Sequence, residues 1–159
     1  AIENHAGDLR VNEVLEIGKG RIVKEGKKAA ILNFGTRLEE CKKASDILSK
    51  KGINITIIDA RFAKPLDEKL IMEAANSHEV LISIEEGSVG GFGSHVMQFL
   101  SNRGVFDKGL NFSSMIIDQD TPEKMYEKAG LDSLSISNKI EETLNSNIIL
   151  AKNKSKISN

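Results

Sequence analysis

The segment from Ile84 to Leu100, IEEGSVGGFGSHVMQFL, contains the residue types of a phosphate-binding loop together with two carboxylates and a histidine. An apolar run, Val80–Ile84, leads into it, and apolar residues at helical spacing follow. Strand, glycine-rich loop and helix is the arrangement that cradles nucleotide phosphates in many proteins. The segment is therefore the first candidate for chemistry in this chain.

The spacing of its glycines does not fit a phosphate loop. They are Gly87, Gly90, Gly91 and Gly93. A dinucleotide fingerprint needs Gly-x-Gly-x-x-Gly, and a Walker loop ends in Gly-Lys-Ser/Thr, whereas this segment ends in Gly-Ser-His. No Lys or Arg occurs between Ile71 and Asn102, while Glu85 and Glu86 open the loop. Two carboxylates would repel a phosphate, and a helix N-terminus offers only about half a positive charge.

A contact with another protein domain explains the glycines better. Glycine lets two backbones approach closely without a side-chain clash. In open α/β sheets, the loops at the carboxyl ends of the strands face partners or ligands. We therefore predict that the glycine loop packs against a neighbouring domain.

Two further residues allow both a functional and a structural interpretation. Arg61, in DARFAKPLD, could reach a substrate anion or a carboxylate across an interface, but we favour an ion pair with Asp59 or Glu85 inside the domain. His95, at a helix start, could act as an acid or base. No nucleophile lies near it in sequence, so we favour an ordinary hydrogen-bonded histidine.

The remaining reactive side chains predict no complete catalytic group. Cys41 lies on the apolar stripe of a predicted helix, which favours core packing over reactivity. Glu85 and Glu86 are adjacent on an extended chain, so their side chains point to opposite faces and cannot share one proton site. The three histidines are scattered and no Cys-x-x-Cys pair occurs, so no metal site is predicted.

Apolar periodicity predicts alternating strands and helices. Strands are expected within Gly18–Val23 and at Ala29–Phe34, Ile53–Ile58, Val80–Ile84 and Phe112–Ile117. Helices are expected from a Thr36 cap to Gly52, after an Asp67 cap, from Ser94 to Ser101, from a Thr121 cap to Gly130, and along Ile136, Ile140 and Leu144. This order predicts a three-layer α/β fold, with a mostly parallel sheet of about five strands and helices on both faces. We expect a linker or tail at 1–17, one domain at 18–146 and a polar tail at 147–159.

Composition limits the classes of partner. The chain has 159 residues, of which 40% are hydrophobic and 28% charged, and its formal net charge is −1. This balance gives no electrostatic support for binding nucleic acid or an anionic membrane. No apolar run approaches the roughly 20 residues that cross a bilayer. A single cysteine excludes an internal disulfide, and the first ten residues lack a signal-peptide layout, so we expect a cytoplasmic protein.

Five segments, in order, carry a resemblance to a known family. They read GKGRIV, NFGTRLEEC, DARFAKPLD, IEEGSVGGFGSHV and DTPEKMYEKAGLD. Between Glu16 and Leu144 the chain resembles the C-terminal domain of the 1-deoxy-D-xylulose-5-phosphate synthases. RFAKPLD and EEGSVGGFG also resemble C-terminal domains of transketolases and 2-oxo-acid dehydrogenase β-subunits. GGFGSHV together with YEKAGLD favours the synthases.

The resemblance implies a supporting role. These synthases condense pyruvate with glyceraldehyde 3-phosphate, release carbon dioxide, and use thiamine diphosphate and magnesium, in a route to isoprenoids and thiamine. They are cytoplasmic homodimers of three-domain subunits whose cofactor and metal ligands lie in the first two domains. This chain would be the third domain, with no catalytic, cofactor or metal residue of its own. The residues expected to face the rest of the enzyme are Arg61, Pro65, Glu86, Gly87, Gly90, Gly91, Gly93 and His95.

Two departures from the family pattern accompany the resemblance. The family has a Tyr-Pro-Arg-Gly segment, whose arginine helps hold the substrate phosphate, before GKGR, and this chain has none there. SSMIIDQDTPEKMY is also several residues too short for the family's Leu-Pro-Asp-x-Phe-Ile stretch. Two alternatives stay open: a domain of a 2-oxo-acid dehydrogenase β-subunit or transketolase, and a free-standing module that binds an anion or a partner.

Overall fold

A computed structural model describes residues 14–86, 90–117 and 131–157 of the chain. The strands are β1 (Arg21–Lys24), β2 (Ala29–Phe34), β3 (Thr56–Asp59), β4 (Val80–Glu86) and β5 (Asn111–Ile117). The helices are α1 (Leu38–Ser49), α2 (Glu68–Ser77), α3 (Phe92–Asn102), a 3₁₀ turn (Phe106–Lys108) and α4 (Leu131–Ile157). The helix predicted between Thr121 and Gly130 lies outside the described residues.

The strands form one five-stranded sheet in the order β1-β3-β2-β4-β5. β2 pairs in parallel with both β3 and β4, and β4 pairs in parallel with β5. β1 alone among these runs antiparallel, and it pairs with β3. The predicted fold class, a mostly parallel sheet of about five strands, is confirmed.

Helices cover both faces of the sheet. On one face, α1 and α4 pack on alternate strand residues such as Ile31, Ile57 and Ile82. On the other face, α2 and α3 pack on the intervening residues, among them Leu32 and Leu81. Strand β2 and the first five residues of β4 are therefore each apolar at all but one position, as expected for parallel strands buried on both sides.

Two predicted helix ends, the start of α2 and the end of α1, are confirmed. The cap predicted for the start of α1 is wrong. The Asp67 carboxylate accepts the backbone N–H of Leu70 at 3.1 Å, which confirms it as the cap of α2. Gly52, with φ +77°, follows the end of α1 as predicted. The N-cap of α1 is Arg37 and not Thr36. The Thr36 hydroxyl instead donates to Glu86 at 2.7 Å, so a tertiary contact replaces the local cap.

Several element boundaries differ from the predicted ones, and three of the differences are the following. β3 begins at Thr56, because the Ile53 N–H donates to the Leu48 carbonyl at 3.0 Å and so belongs to the end of α1. α3 begins at Phe92, two residues before the predicted start. α4 continues to Ile157 and thus passes through most of the predicted polar tail.

We predict that α4 is anchored through its buried stripe. Ile140 is fully buried, so Ile140→Ala should lower the free energy of unfolding by about 2–5 kcal/mol through lost burial and a new cavity. Ile149 lies on the same helix with 59% exposure, and Ile149→Ala is the matched control. Urea denaturation should show a shift for the first variant and almost none for the second. Equal shifts would contradict the assigned packing of α4.

Candidate functional site at the carboxyl edge of the sheet

The carboxyl ends of β2, β3 and β4 bring most of the predicted site residues to one edge of the sheet. Asn33 lies near the end of β2, Asp59 ends β3, and Glu86 ends β4. Because β1 is antiparallel, its first residue, Arg21, stands opposite Asp59 at this same edge. We call this end of the sheet, with the start of α3, the carboxyl edge.

Glu85 occupies the N-terminus of α3. Its side chain lies in the protein interior, with 3% of the residue exposed, and it accepts the backbone N–H of Gly93. A carboxylate at this position is favoured by the unpaired N–H groups and the dipole of the helix. The place where a phosphate would sit in a nucleotide-binding loop is therefore filled by the chain's own carboxylate.

Glu86 faces the other layer of helices. It forms an ion pair with Arg37 and accepts the Thr36 hydroxyl, both just before α1. Glu85 and Glu86 thus serve the starts of two helices on opposite faces of the sheet, as the extended backbone predicts. They form no acid–base pair. Arg37 and Thr36 were missed as site residues because nothing in the local sequence signals a partner 50 positions away.

The described glycines of the loop have different roles. A Cβ on Gly93 would lie 2.2 Å from Ser114 Oγ and 2.5 Å from Ser83 Oγ, so glycine here lets α3 pack directly on β4 and β5. Gly90 has φ +100°, a conformation that side-chain-bearing residues rarely adopt. Gly91 is the residue before α3, and Gly87 lies outside the described residues. Gly93 is buried within the domain, whereas Gly90 is exposed at the edge.

His95 lies in the first turn of α3, half-buried, with its backbone N–H donated to Gly91 at 3.2 Å. The chain's one thiol, Cys41, lies on α1 in the opposite layer, so it is not a nucleophile for His95. His95 therefore lies at the candidate surface, in a different layer from the thiol.

Arg61 pairs with Asp59, which confirms the structural contact predicted for it. Asp59 Oδ2 lies 3.6 Å from Arg61 Nε and 3.2 Å from Arg21 Nε. The three side chains are mostly buried, with exposures of 11% for Arg61, 16% for Asp59 and 25% for Arg21. Asp59 therefore fixes two guanidinium groups at the carboxyl edge.

The backbone of Arg61 is strained. Its φ is +59°, and the Phe62 N–H donates to the Ala60 carbonyl at 2.6 Å, so Arg61 is the central residue of a tight three-residue turn. Such a conformation costs of order 1–3 kcal/mol for a residue other than glycine. An ion pair that is partly exposed returns about 1 kcal/mol or less. The pair with Asp59 is accordingly only part of what holds this turn, since Arg61 makes further contacts within the chain.

Pro65 lies exposed in the same loop and borders the segment before β1. A Cβ on Gly18 would lie 2.8 Å from Pro65 Cγ, and the Gly20 N–H donates to Asp67 at 3.1 Å. The chain from Gly18 to Arg21 is thereby fixed along the RFAKPLD loop. The two motifs that are far apart in sequence form one surface.

Cys41 and Asn33 form a buried pair beneath this edge. The Cys41 thiol donates to Asn33 Oδ1 at 3.6 Å, and the Asn33 amide donates to the Gly35 carbonyl at 3.1 Å. Burial, with a smaller contribution from Glu40, raises the pKa of Cys41 to about 12. The thiol is thus a core group, as the helical stripe predicted.

The opposite edge holds a small cavity of about 210 Å³. It is lined by Ala75, Asn76, His78, Glu79, Val105, Lys108, Gly109 and Leu110. His78 is hydrogen-bonded through both ring nitrogens, Nε2 to the Thr56 hydroxyl and Nδ1 to the Ala74 carbonyl, each at 2.8 Å. Its ring therefore ties the end of α2 to the start of β3.

Within residues 14–86, 90–117 and 131–157, no group of three or more His, Cys, Asp or Glu side chains could hold a metal ion. The helices in these ranges also include none that is long and apolar enough to span a bilayer.

Comparison with known proteins identifies relatives of the fold. Residues 18–136 match the family model described as "Transketolase, C-terminal domain". A solved structure, "Split gene transketolase, inactive beta4 tetramer", is similar with a TM-score of 0.72 and 27% sequence identity. The similarity covers 84% of this chain and 44% of that chain. This chain therefore spans less than half the length of that structural relative.

We predict that Glu85 stabilises the start of α3. Glu85→Ala leaves the buried Gly93 N–H without its acceptor and should lower the free energy of unfolding by about 1–3 kcal/mol. Glu85→Gln keeps an acceptor and should lose less. Glu39→Ala, at a side chain with 53% exposure, is the control in the same urea series. If Glu85→Ala lowers the free energy of unfolding no more than Glu39→Ala does, the proposed role of Glu85 is contradicted.

We predict that the Cys41 thiol is unreactive in the folded chain. Because its pKa is raised to about 12, Ellman's reagent at pH 8 should react only as fast as the chain unfolds. The unfolded thiol ionises near pH 9, so folding stability should fall as the pH rises from about 9 towards 12. Cys41→Ala should lack this part of the pH dependence. Fast labelling without denaturant would contradict the burial.

Proposed function

Because the chain belongs to the transketolase C-terminal domain family, we propose that it completes a thiamine-diphosphate-dependent enzyme by packing against that enzyme's other domains. The contact that supports this most directly is Glu85 on the N-terminus of α3. The Glu85 carboxylate occupies the position at which a helix N-terminus would otherwise bind an anion. The carboxyl edge is then suited to contact with another protein domain. The chain alone is expected to be inactive.

The described residues do not fit the cofactor that the family implies. Magnesium with a diphosphate is usually held by one or two available carboxylates together with the phosphate oxygens. Here Glu85, Glu86 and Asp59 are each engaged by a helix N-terminus or by arginine. We therefore propose that other domains of the enzyme hold the diphosphate and the metal, and that this chain takes no chemical step.

The parent enzyme that the sequence favours is a 1-deoxy-D-xylulose-5-phosphate synthase. GGFGSHV and YEKAGLD support this choice over the related enzymes. The proposed reaction is the decarboxylating condensation of pyruvate with glyceraldehyde 3-phosphate, in the supply of isoprenoid precursors and thiamine. We propose that the assembled enzyme is a cytoplasmic homodimer with thiamine diphosphate and magnesium in the remaining domains.

A split transketolase is the second candidate, and the structural relative supports it. That protein is described as the product of a split gene and as a tetramer of β chains. By analogy, this domain could belong to a chain that associates with copies of itself and takes its cofactor from a separate subunit. The third possibility, a module that binds anions by itself, is disfavoured by the Glu85 carboxylate at α3.

Reconstitution distinguishes these candidates. The chain should be mixed with the thiamine-diphosphate-binding domains of the enzyme, and the product should be identified by mass spectrometry. Consumption of pyruvate and glyceraldehyde 3-phosphate with release of carbon dioxide supports the synthase, and ketol transfer between sugar phosphates supports the transketolase. Turnover by this chain alone, or a thiamine diphosphate site within it, would contradict the proposal.

We predict that Gly91 matters more for assembly than for the isolated domain. Gly91→Val places a branched side chain beside the start of α3, where close backbone approach is proposed. Affinity for the partner domains should fall roughly tenfold or more, a change of about 1.4 kcal/mol or more. Sedimentation velocity measures the affinity and calorimetry the melting temperature. A melting loss of equal free energy in the isolated chain would contradict the interface role.

A further inference from the structure

The cavity at the end of the sheet opposite the carboxyl edge combines an apolar wall with charged groups. In its lining, Ala75 and Val105 are buried and Leu110 is half-buried, whereas Glu79 and Lys108 are exposed. Its volume of about 210 Å³ is smaller than the roughly 300–1,000 Å³ of sites that hold drug-sized ligands. The cavity therefore suits a molecule of few atoms that has an apolar part.

The two charged residues of the lining stand on a fixed backbone. The Glu79 carbonyl accepts the Asn111 N–H at 3.0 Å and the Asn147 side-chain amide at 3.3 Å. The Lys108 N–H donates to the Val105 carbonyl at 3.2 Å, within the 3₁₀ turn. Both side chains therefore start from defined positions, and a ligand between them would not have to order the backbone.

The charges of Glu79 and Lys108 are not neutralised within the described part of the chain. Neither residue forms an ion pair with another described residue. The neighbouring His78 does not serve Glu79, because its ring nitrogens are engaged by the Ala74 carbonyl and the Thr56 hydroxyl. The cavity thus presents one unpaired carboxylate and one unpaired ammonium group.

The end of α2 adds negative charge on the Glu79 side of the cavity. The last carbonyl groups of a helix lack intrahelical partners and together carry about half a negative charge, which a basic side chain often offsets. The last turn of α2 has no basic residue, and Ala75 and Asn76 from this turn line the cavity. An ammonium group is therefore favoured beside Glu79 and a phosphate is repelled there, while Lys108 favours a carboxylate.

We propose that this cavity binds a small zwitterionic α-amino acid with a short apolar side chain. Its ammonium group binds Glu79 and the end of α2, its carboxylate pairs with Lys108, and its side chain contacts Val105 and Leu110. Only a ligand with both charges satisfies both groups, and the volume excludes a nucleotide. The proposal does not depend on the proposed function, because the residues that carry it all belong to this chain and lie away from the carboxyl edge.

Titration of the isotopically labelled chain with L-valine at neutral pH, followed by NMR, tests the site. The backbone amide signals of Glu79, Lys108 and Gly109 should shift saturably, with a Kd of roughly 1 mM or below, as suits a ligand of few atoms. Isovalerate lacks the ammonium group of valine, and isobutylamine lacks its carboxylate. Each should bind at least tenfold more weakly than L-valine.

Variants that keep side-chain size identify the two charged partners. Glu79→Gln and Lys108→Met should each weaken L-valine binding at least tenfold, and Glu79→Gln should also reduce the preference for L-valine over isovalerate. A merely structural effect would not change that preference. Lys50→Gln and Glu142→Gln, at exposed positions after α1 and on α4, are the matched controls and should bind like the unchanged chain. Melting temperatures should hardly change in any of the four, because all four side chains are exposed.

Several results would overturn this assignment while leaving the proposed function untouched. One is the absence of saturable shifts at the cavity with L-alanine, L-valine and L-leucine alike. Another is equal binding of isovalerate or isobutylamine, which would show that a single charge is recognised. Inorganic phosphate that binds the cavity more tightly than L-valine would contradict the role of Glu79. Shifts confined to residues outside the lining would place the ligand elsewhere.

Discussion

The contact between the Glu85 side chain and the first turn of α3 determines what the carboxyl edge can do. Parallel α/β sheets present their carboxyl ends and the adjoining helix N-termini to ligands, and anions are the ligands these sites favour. Here the position is occupied by a buried group of the chain itself. The same strand end sends Glu86 to the opposite layer, where Arg37 and Thr36 bind it. The glycine-rich segment therefore starts from a strand end that is fixed to helices on both faces.

This arrangement explains why a sequence with the outline of a phosphate loop lacks its chemistry. A glycine such as Gly93 is needed because α3 packs directly on the hydroxyl groups of Ser83 and Ser114. At Gly93, the close approach that glycine permits is between α3 and the sheet of this same domain. The surface at this edge then consists of Gly90, the half-buried His95 and the RFAKPLD loop, with the mostly buried group of Arg21, Asp59 and Arg61 beside them. Such a surface, with charges already balanced by neighbours, is suited to contact with protein more than to capture of a small anion.

Much of the fold could be predicted from the sequence because its signals are local. The nearly continuous apolar run of Ala29–Phe34 is typical of a strand buried on both faces, and the Asp67 side chain reaches an N–H three residues away. The errors arose where distant residues compete with local ones. Thr36 has the side chain of a helix cap, but Glu86, distant in sequence, takes its hydroxyl. Asn33 looks like an interruption of an apolar strand, and only the fold shows that it serves Cys41 and Gly35. The pair between Arg61 and Asp59 was foreseen, but its strained turn has no sequence signal.

Hydrogen exchange of the peptide 90–96, read by mass spectrometry, tests most directly whether the carboxyl edge is a protein interface. The backbone amides of this peptide should become protected when the thiamine-diphosphate-binding domains are added. They should not respond to thiamine diphosphate and magnesium alone. Protection by the cofactor alone, with none from the domains, would show that the start of α3 binds an anion and would contradict the account.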